Sequence, residues 1–326
     1  MANDRLPAPG LRGIAERLKH FFGTELGNGI HAAKLRKKYD LNGVRHFVPA
    51  DDGVRFKLAI VAIFKGEDEY LREWIEFHRI VGVEHFFLYD NGDRESSRAI
   101  LKPYVDVGIV TYIPFADFPE KSMRSKYGKD QFRKLSMQNL AYGDCVRKYA
   151  KHCDWLAKID LDEFLYPLEP YRTLLEAIDR FAAGAVKGFS VMATRFGPSG
   201  RIERSGLPVI ETYDRRNPVF DLNWKVVGAG RYVSGLLGYH GCHHYFFKIS
   251  PVAKYLSDTD TRDFVRINHY VIKSKAEYTD KIASHSTGHK AGKETPEKWL
   301  AAEAAANTQD DGSILRFLAE LKERLG

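Results

Sequence analysis

The stretch Trp155-Leu-Ala-Lys-Ile-Asp160-Leu-Asp162-Glu163 joins an apolar run to carboxylates spaced by one residue. In an extended chain, side chains at i and i+2 point to the same side. Asp160 and Asp162 would therefore share one face at the C-terminal tip of a strand, where open α/β sheets bind ligands. Two hard oxygen donors that leave most coordination positions open suit Mg2+ or Mn2+ holding a substrate phosphate. The spacing alone is common, because 43 acidic residues in 326 give about six such pairs by chance. A solvated acidic turn is the plainer reading. The Trp/Leu/Ile run before the pair, and a helix before that run, favour the tip of a buried parallel strand.

The elements that would position such a tip are readable upstream. Phe56 to Phe64 is an apolar run of strand length broken only by Lys57, as expected for a strand covered on both faces. Leu71, Trp74, Ile75, His78 and Val81 recur at helical spacing and stop at Gly82. Val83 to Tyr89 is a second strand closed by Asp90-Asn91-Gly92-Asp93, so the segment predicts a right-handed βαβ unit. A short helix (96–104) and a strand (108–113) repeat the alternation. A loop over 114–130 and a helix over 132–149 then lead to the Asp160 strand. Further on, the pattern predicts a helix over 171–181, a strand over 188–194, and a mixture of short strands and loops over 201–270. A helical tail over 296–325 follows. The fold class is α/β, with a core domain over 55–290, a basic extension over 1–54 and a C-terminal helical segment over 291–326. No GxGxxG or GxxxxGK occurs, which disfavours a dinucleotide fold or a P-loop NTPase.

Composition narrows the class. Hydrophobic content of 44% and aromatic content of 13% indicate a packed globular protein. No apolar run approaches a membrane span, and no secretory signal pattern opens the chain. Cys145, Cys153 and Cys242 cannot all pair and form no CxxC site, so they read as free thiols of a reducing, cytoplasmic compartment. A net charge of +7 favours an anionic partner. The basic residues are dispersed and no zinc-finger or RNP-like signature occurs, which argues against nucleic acid. Leu11, Ile14, Leu18, Phe21 and Phe22 form an amphipathic pattern with basic residues between them. Such a helix either packs on the main domain or lies on an anionic membrane surface, the latter giving peripheral membrane association.

Several separated pieces, in order, resemble family 92 glycosyltransferases and their bacterial family-2-like relatives. They are Glu73-Trp74-Ile-Glu-Phe-His78, Gly82-Val-Glu-His-Phe-Phe-Leu-Tyr-Asp90-Asn91, Gln138-Asn139 with the residues after it, and the Asp160-Leu-Asp162-Glu163 stretch. Phe196-Gly-Pro-Ser-Gly200, Gly206-Leu-Pro-Val-Ile-Glu211 and Asn268-His269-Tyr-Val-Ile-Lys273-Ser274 complete the set. The resemblance implies a GT-A fold, a Rossmann-like mixed sheet with helices on both faces. It also implies a UDP-sugar donor (UDP-galactose foremost), Mn2+ or Mg2+, and inversion at the anomeric carbon. Two departures stand out. Lys65-Gly66-Glu67 replaces the family's Lys-Asn-Glu, and Gly92-Asp93-Arg94-Glu95 follows Asp90-Asn91 where a Ser and a further Asp are usual.

On this reading UDP is displaced by a hydroxyl of a glycan or glycolipid acceptor, and a divalent ion neutralises the leaving diphosphate. Asp162 is the direct metal ligand, Asp160 a metal or ribose contact, and His269 a further ligand from the chain's far end. Lys273 lies near the phosphates, and Lys65, Glu67 and Asp90 near the uridine. Glu163 orients the donor sugar or assists the metal, unless it is a surface acid of the turn. Glu211 is the expected base for the acceptor's proton, with Asp214 and Glu203 as rivals and an ion pair with Arg215 or Arg216 as the plain alternative. The cluster His240-Gly-Cys242-His243-His244 reads as a pocket wall or structure more than as zinc ligands. Two other classes remain open. One is a non-catalytic nucleotide-sugar or glycan-binding protein. The other is a metal-dependent phosphohydrolase or nucleotidyltransferase.

Overall fold

A computed structural model describes residues 56–92, 95–115, 137–182, 186–218, 224–234, 243, 245, 247–248, 260–284 and 295–326. The expected basic extension, nearly all of the 114–130 loop, and His240, Cys242 and His244 lie outside these residues.

The first strand, β1 (Phe56–Phe64), alternates between two apolar environments. Leu58, Ile60, Ala62 and Phe64 enter one core cluster, and Ala59 and Val61 the other. A sheet buried on both faces needs both halves of the period-two pattern to be apolar, which is why this run lacks polar alternation. Helix α1 (Asp68–Ile80) covers the first face through Leu71, Trp74 and Phe77. Its first turn carries Asp68 and Glu69 and its last turn His78 and Arg79, the signs that suit the helix dipole. The turn that ends it uses Gly82 at φ +96, with Thr173 close by. Then come β2 (His85–Asp90), α2 (Glu95–Asp106), β3 (Val110–Pro114) and α3 (Met137–Tyr149), which covers the second face with Leu140, Tyr142 and Tyr149.

Strand β4 (Cys153–Lys158) pairs parallel with β1, so the Asp160 segment does follow a buried parallel strand. Beyond it lie β5 (Glu163–Pro167), α4 (Leu174–Phe181), β6 (Gly188–Arg195), the one-turn α5 (Val209–Thr212) and β7 (Arg215–Arg216). Next come β8 (Trp224–Ala229), β9 (Val265–His269) and α6 (Lys275–Ser284). The chain closes with α7 (Pro296–Ala306), β10 (Gln309–Asp310) and α8 (Leu318–Leu325). Helix α4 opens on a capping box in which Thr173 and Glu176 satisfy each other's backbone amides. The helical tail is interrupted by β10, which pairs with β7.

The main sheet has eight strands in the order β3-β2-β1-β4-β8-β6-β9-β5. β8 is antiparallel to β4 and β6, and β5 is antiparallel to β9, while the other pairings are parallel. The C-terminal ends of six strands and the N-terminal starts of β5 and β8 therefore share one edge. This is the mixed, helix-covered α/β sheet expected of the GT-A class.

Two buried polar arrangements hold that edge. His78 on α1 sits between Trp74 O (2.8 Å from Nδ1) and Leu165 N–H, which donates to Nε2 at 3.1 Å. The ring is thus the Nδ1–H tautomer. The Trp74 indole N–H donates to Glu163 O at 2.9 Å, so α1 is pinned to β5 at the residue where that strand begins. On the other side, Arg266 of β9 binds Asp311 through both terminal nitrogens, and Arg216 binds the same carboxylate at 2.6 Å. Phe317 and Leu321 of the tail enter the core cluster that contains α1.

Asp311→Ala should lower stability by roughly 3–5 kcal/mol in urea unfolding, because it leaves buried Arg266 uncompensated. Burial holds His78 down to about 3, whereas the unfolded chain takes up a proton near 6.5. Stability from this group is complete above that pH and erodes as pH falls toward 3. In His78→Leu the fall should be shallower by up to about 1.4 kcal/mol per pH unit. The variant should also be weaker at neutral pH by about 1–3 kcal/mol, since the Leu165 amide loses its acceptor.

Candidate active site

Asp160 and Asp162 flank Leu161 in the tight connection between β4 and β5, closed by Glu163 N–H donating to Asp160 O at 3.0 Å. The two carboxylates are not equivalent. Asp160 Oδ1 accepts from Gln138 Nε2 at 2.7 Å and from the Tyr142 hydroxyl at 3.1 Å, both on α3. Its Oδ2 accepts from Lys225 Nζ at 2.9 Å. Asp162 instead faces His269 Nε2 at 3.6 Å and Lys281 Nζ at 3.8 Å.

Glu163 is no surface acid. It is 2% exposed, binds Lys225 Nζ at 2.8 Å and accepts from Asp160 N–H at 2.9 Å. Strand register sets Glu163 and Arg195 opposite His269 on its two sides, because β9 lies between β5 and β6. Glu163 Oε1 comes within 4.0 Å of His269 Nε2. His269 Nδ1 is buried with no hydrogen-bond partner among the described residues.

The electrostatics follow from these contacts. Burial pushes Asp162 up, but His269, then Lys281 and Lys273, hold it well below the usual carboxylate range. Burial also opposes Asp160, and Lys225 overcomes it to leave a net lowering. Glu163 is raised by burial despite Lys225. For Lys225 and His269, burial favours the neutral form, and the neighbouring carboxylates win, so both are raised. Burial lowers Lys273 against the pull of Asp162, Glu67 and Glu277, and its ammonium lies 4.0 Å from the Tyr70 ring centre. Glu277 in turn accepts from the hydroxyls of Tyr70 and Tyr213 and from Ser274.

The structure brings Asp160, Asp162, Glu163, His269, Lys273 and Glu67 into one electrostatic cluster. Glu67 precedes α1 and is raised by burial and then by Asp162. Asp90 ends β2 at the same edge, fully buried, its oxygens held by Gly92 N–H at 2.7 Å and the Tyr112 hydroxyl at 2.9 Å. Lys65 is exposed on the turn after β1. Glu211 is placed elsewhere. Its Oε1 pairs with Lys322 of α8 at 2.7 Å, and its Oε2 is buried with no hydrogen-bond partner among the described residues. Arg215 and Arg216 pair with Asp310 and Asp311 instead. His243 is bound through Nδ1 to Trp224 O. Lys225, Lys281 and Tyr142 had no assignment from the sequence. The one local signal for Lys225 was a lysine opening the apolar run Trp224-Lys-Val-Val-Gly-Ala.

One carboxylate oxygen and one imidazole nitrogen at 3.6 Å fit as two ligands of Mn2+ or Mg2+ with the remaining positions open. Among the described residues no three His, Cys, Asp or Glu side chains form a complete site. Asp160 is already engaged by three donors.

Residues 59–207, which contain the carboxylate turn, match the profile of "Glycosyltransferase family 92". That match covers just under half of the chain. A family 92 protein of Oryza sativa subsp. japonica is 23% identical over 227 residues, covering 69% of this chain and 35% of that one. A galactan beta-1,4-galactosyltransferase of Arabidopsis thaliana is 33% identical over 99 residues, 29% of this chain and 17% of that one. The chain thus matches well under half the length of these relatives. S. aureus TarS in complex with UDP overlays at a TM-score of 0.32 and 10% identity, covering 82% of this chain and 71% of that one. Among the described residues no helix is long and apolar enough to cross a membrane.

Proposed function

We propose that the family 92 domain transfers a hexose, such as galactose, from a UDP-sugar to a hydroxyl of a glycan or glycolipid, with inversion and with Mn2+ or Mg2+. The observation that carries this reading is the convergence of Asp162 and His269, from positions 107 residues apart, with Lys281 and Lys273 beside them. Asp162 and His269 would hold the ion, which when bound supplies positive charge to the leaving diphosphate. Lys273, held over the Tyr70 ring, and Lys281, donating to Val271 O at 3.0 Å, add positive charge on the same side. Asp160, held by Gln138, Tyr142 and Lys225, presents a rigid acceptor suited to a ribose hydroxyl. Asp90, at the tip of β2, is the corresponding uridine contact, with Lys65 at the rim.

The acceptor hydroxyl needs a base. Glu211 has one oxygen engaged by Lys322. Glu67 meets the requirement better, since burial and the nearby Asp162 raise its affinity for a proton. Glu163, locked by Lys225, serves to orient the turn.

Titrating UDP into the protein should show binding strengthened by Mn2+, and Asp162→Asn should abolish that enhancement. Equal binding without metal, or a silent Asp162→Asn, would sink the metal-centred reading. In a UDP-release assay Glu67→Gln should lower kcat by about 10²–10⁴-fold with UDP binding retained. Glu211→Gln should stay within a few-fold of wild type, and the reverse result would return the base to Glu211.

A further inference from the structure

We propose that Lys225 is a built-in counter-cation that holds Asp160 and Glu163 away from a divalent ion and makes metal binding conditional on the nucleotide. The inference rests on the metal-dependent reading above and concerns how this chain controls the ion. Lys225 is 3% exposed and its ammonium lies 2.9 Å from Asp160 and 2.8 Å from Glu163. It therefore bridges two of the three carboxylates of the turn, leaving Asp162 as the acid that faces His269. Strand geometry enforces the position. β8 runs antiparallel between β4 and β6, with Val227 opposite Ala157 and Lys225 opposite Val191, so Lys225 enters at the ligand-binding edge. Its ammonium is held between the two carboxylates it pairs with.

The charge balance gives the consequence. Glu67, Asp160, Asp162 and Glu163 are matched by Lys225, Lys273 and Lys281, with His269 adding charge when protonated. A divalent ion entering alone meets little surplus negative charge and two protein ligands. The diphosphate of UDP brings both the missing charge and further oxygen ligands, so ion and nucleotide favour each other's binding, and the coupling is reciprocal. Without Lys225, Asp160 and Glu163 would lose their counter-charge and become available to the ion beside Asp162.

Mn2+ binding to the full chain, followed by electron paramagnetic resonance with and without UDP, tests this directly. Wild type should bind Mn2+ at least about tenfold more weakly without UDP than with it. Lys225→Met should bind Mn2+ without UDP at least about tenfold more tightly than wild type, and Mn2+ alone should raise its Tm but not that of wild type. Lys225→Arg, which keeps the charge, should not gain the nucleotide-free site. A folded Lys225→Met with no gain in Mn2+ affinity overturns the proposal. If that variant does not fold, wild-type protein binding Mn2+ equally well with and without UDP overturns it. If UDP binds wild type without any metal while Lys225→Met gains a Mn2+ site, the metal-dependent reading falls and the role of Lys225 stands. If Mn2+ strengthens UDP binding but Lys225→Met gains nothing, the reverse holds.

Discussion

Carboxylates removed from bulk water at the end of a strand must be compensated, and this constraint shapes the molecule around residues 160–163. An uncompensated buried acid either takes up a proton or destabilises the fold. Here the compensation is divided. Lys225 secures Asp160 and Glu163, whereas His269, Lys281 and Lys273 serve Asp162. The division separates an acid fixed by donors on three sides from one that faces only groups able to share it with a ligand.

Delivering those partners requires a sheet of mixed direction. A purely parallel sheet would bring only C-terminal strand ends to the binding edge. The reversed β8 and β5 bring Lys225 and Glu163 there from their N-terminal starts. His269 sits between β5 and β6 in register, so its distance to the carboxylate turn is set by backbone hydrogen bonding. The neutral His78 and the Trp74 indole fix α1 to the same strand from behind, a structural role that also accounts for their spacing on the helix.

What the sequence disclosed depended on how local the cause was. β1, α1 and β2 declare themselves because period two on two buried faces and period 3.6 on one helix face are properties of short windows. The position of Asp160 and Asp162 just after a buried parallel strand was legible for the same reason. Glu163 was ambiguous, since nothing local tells a turn acid from the first residue of a strand whose partner, β9, lies about a hundred residues away. Lys225 was missed because its two partners are 62 and 65 residues upstream. A lysine in an apolar run looks the same whether it snorkels to solvent or caps an ion triad. Glu211 was expected near the chemistry from its motif, but its partner proved to be Lys322 on the last helix.

The pairing of β5 with β9 has a consequence for the order in which the protein is made. β1 through β4 can associate from contiguous sequence as the chain leaves the ribosome. Among the described residues β5 bonds to no other strand of the sheet than β9, and Arg266 of β9 is neutralised by Asp311 near the C-terminus. Non-local pairings of this kind form late because loop closure must precede their reward. A nascent chain halted before residue 265 would therefore carry the Asp160-Leu-Asp162-Glu163 segment without the strand that orders it, so the charged edge is completed only after β9 has been made.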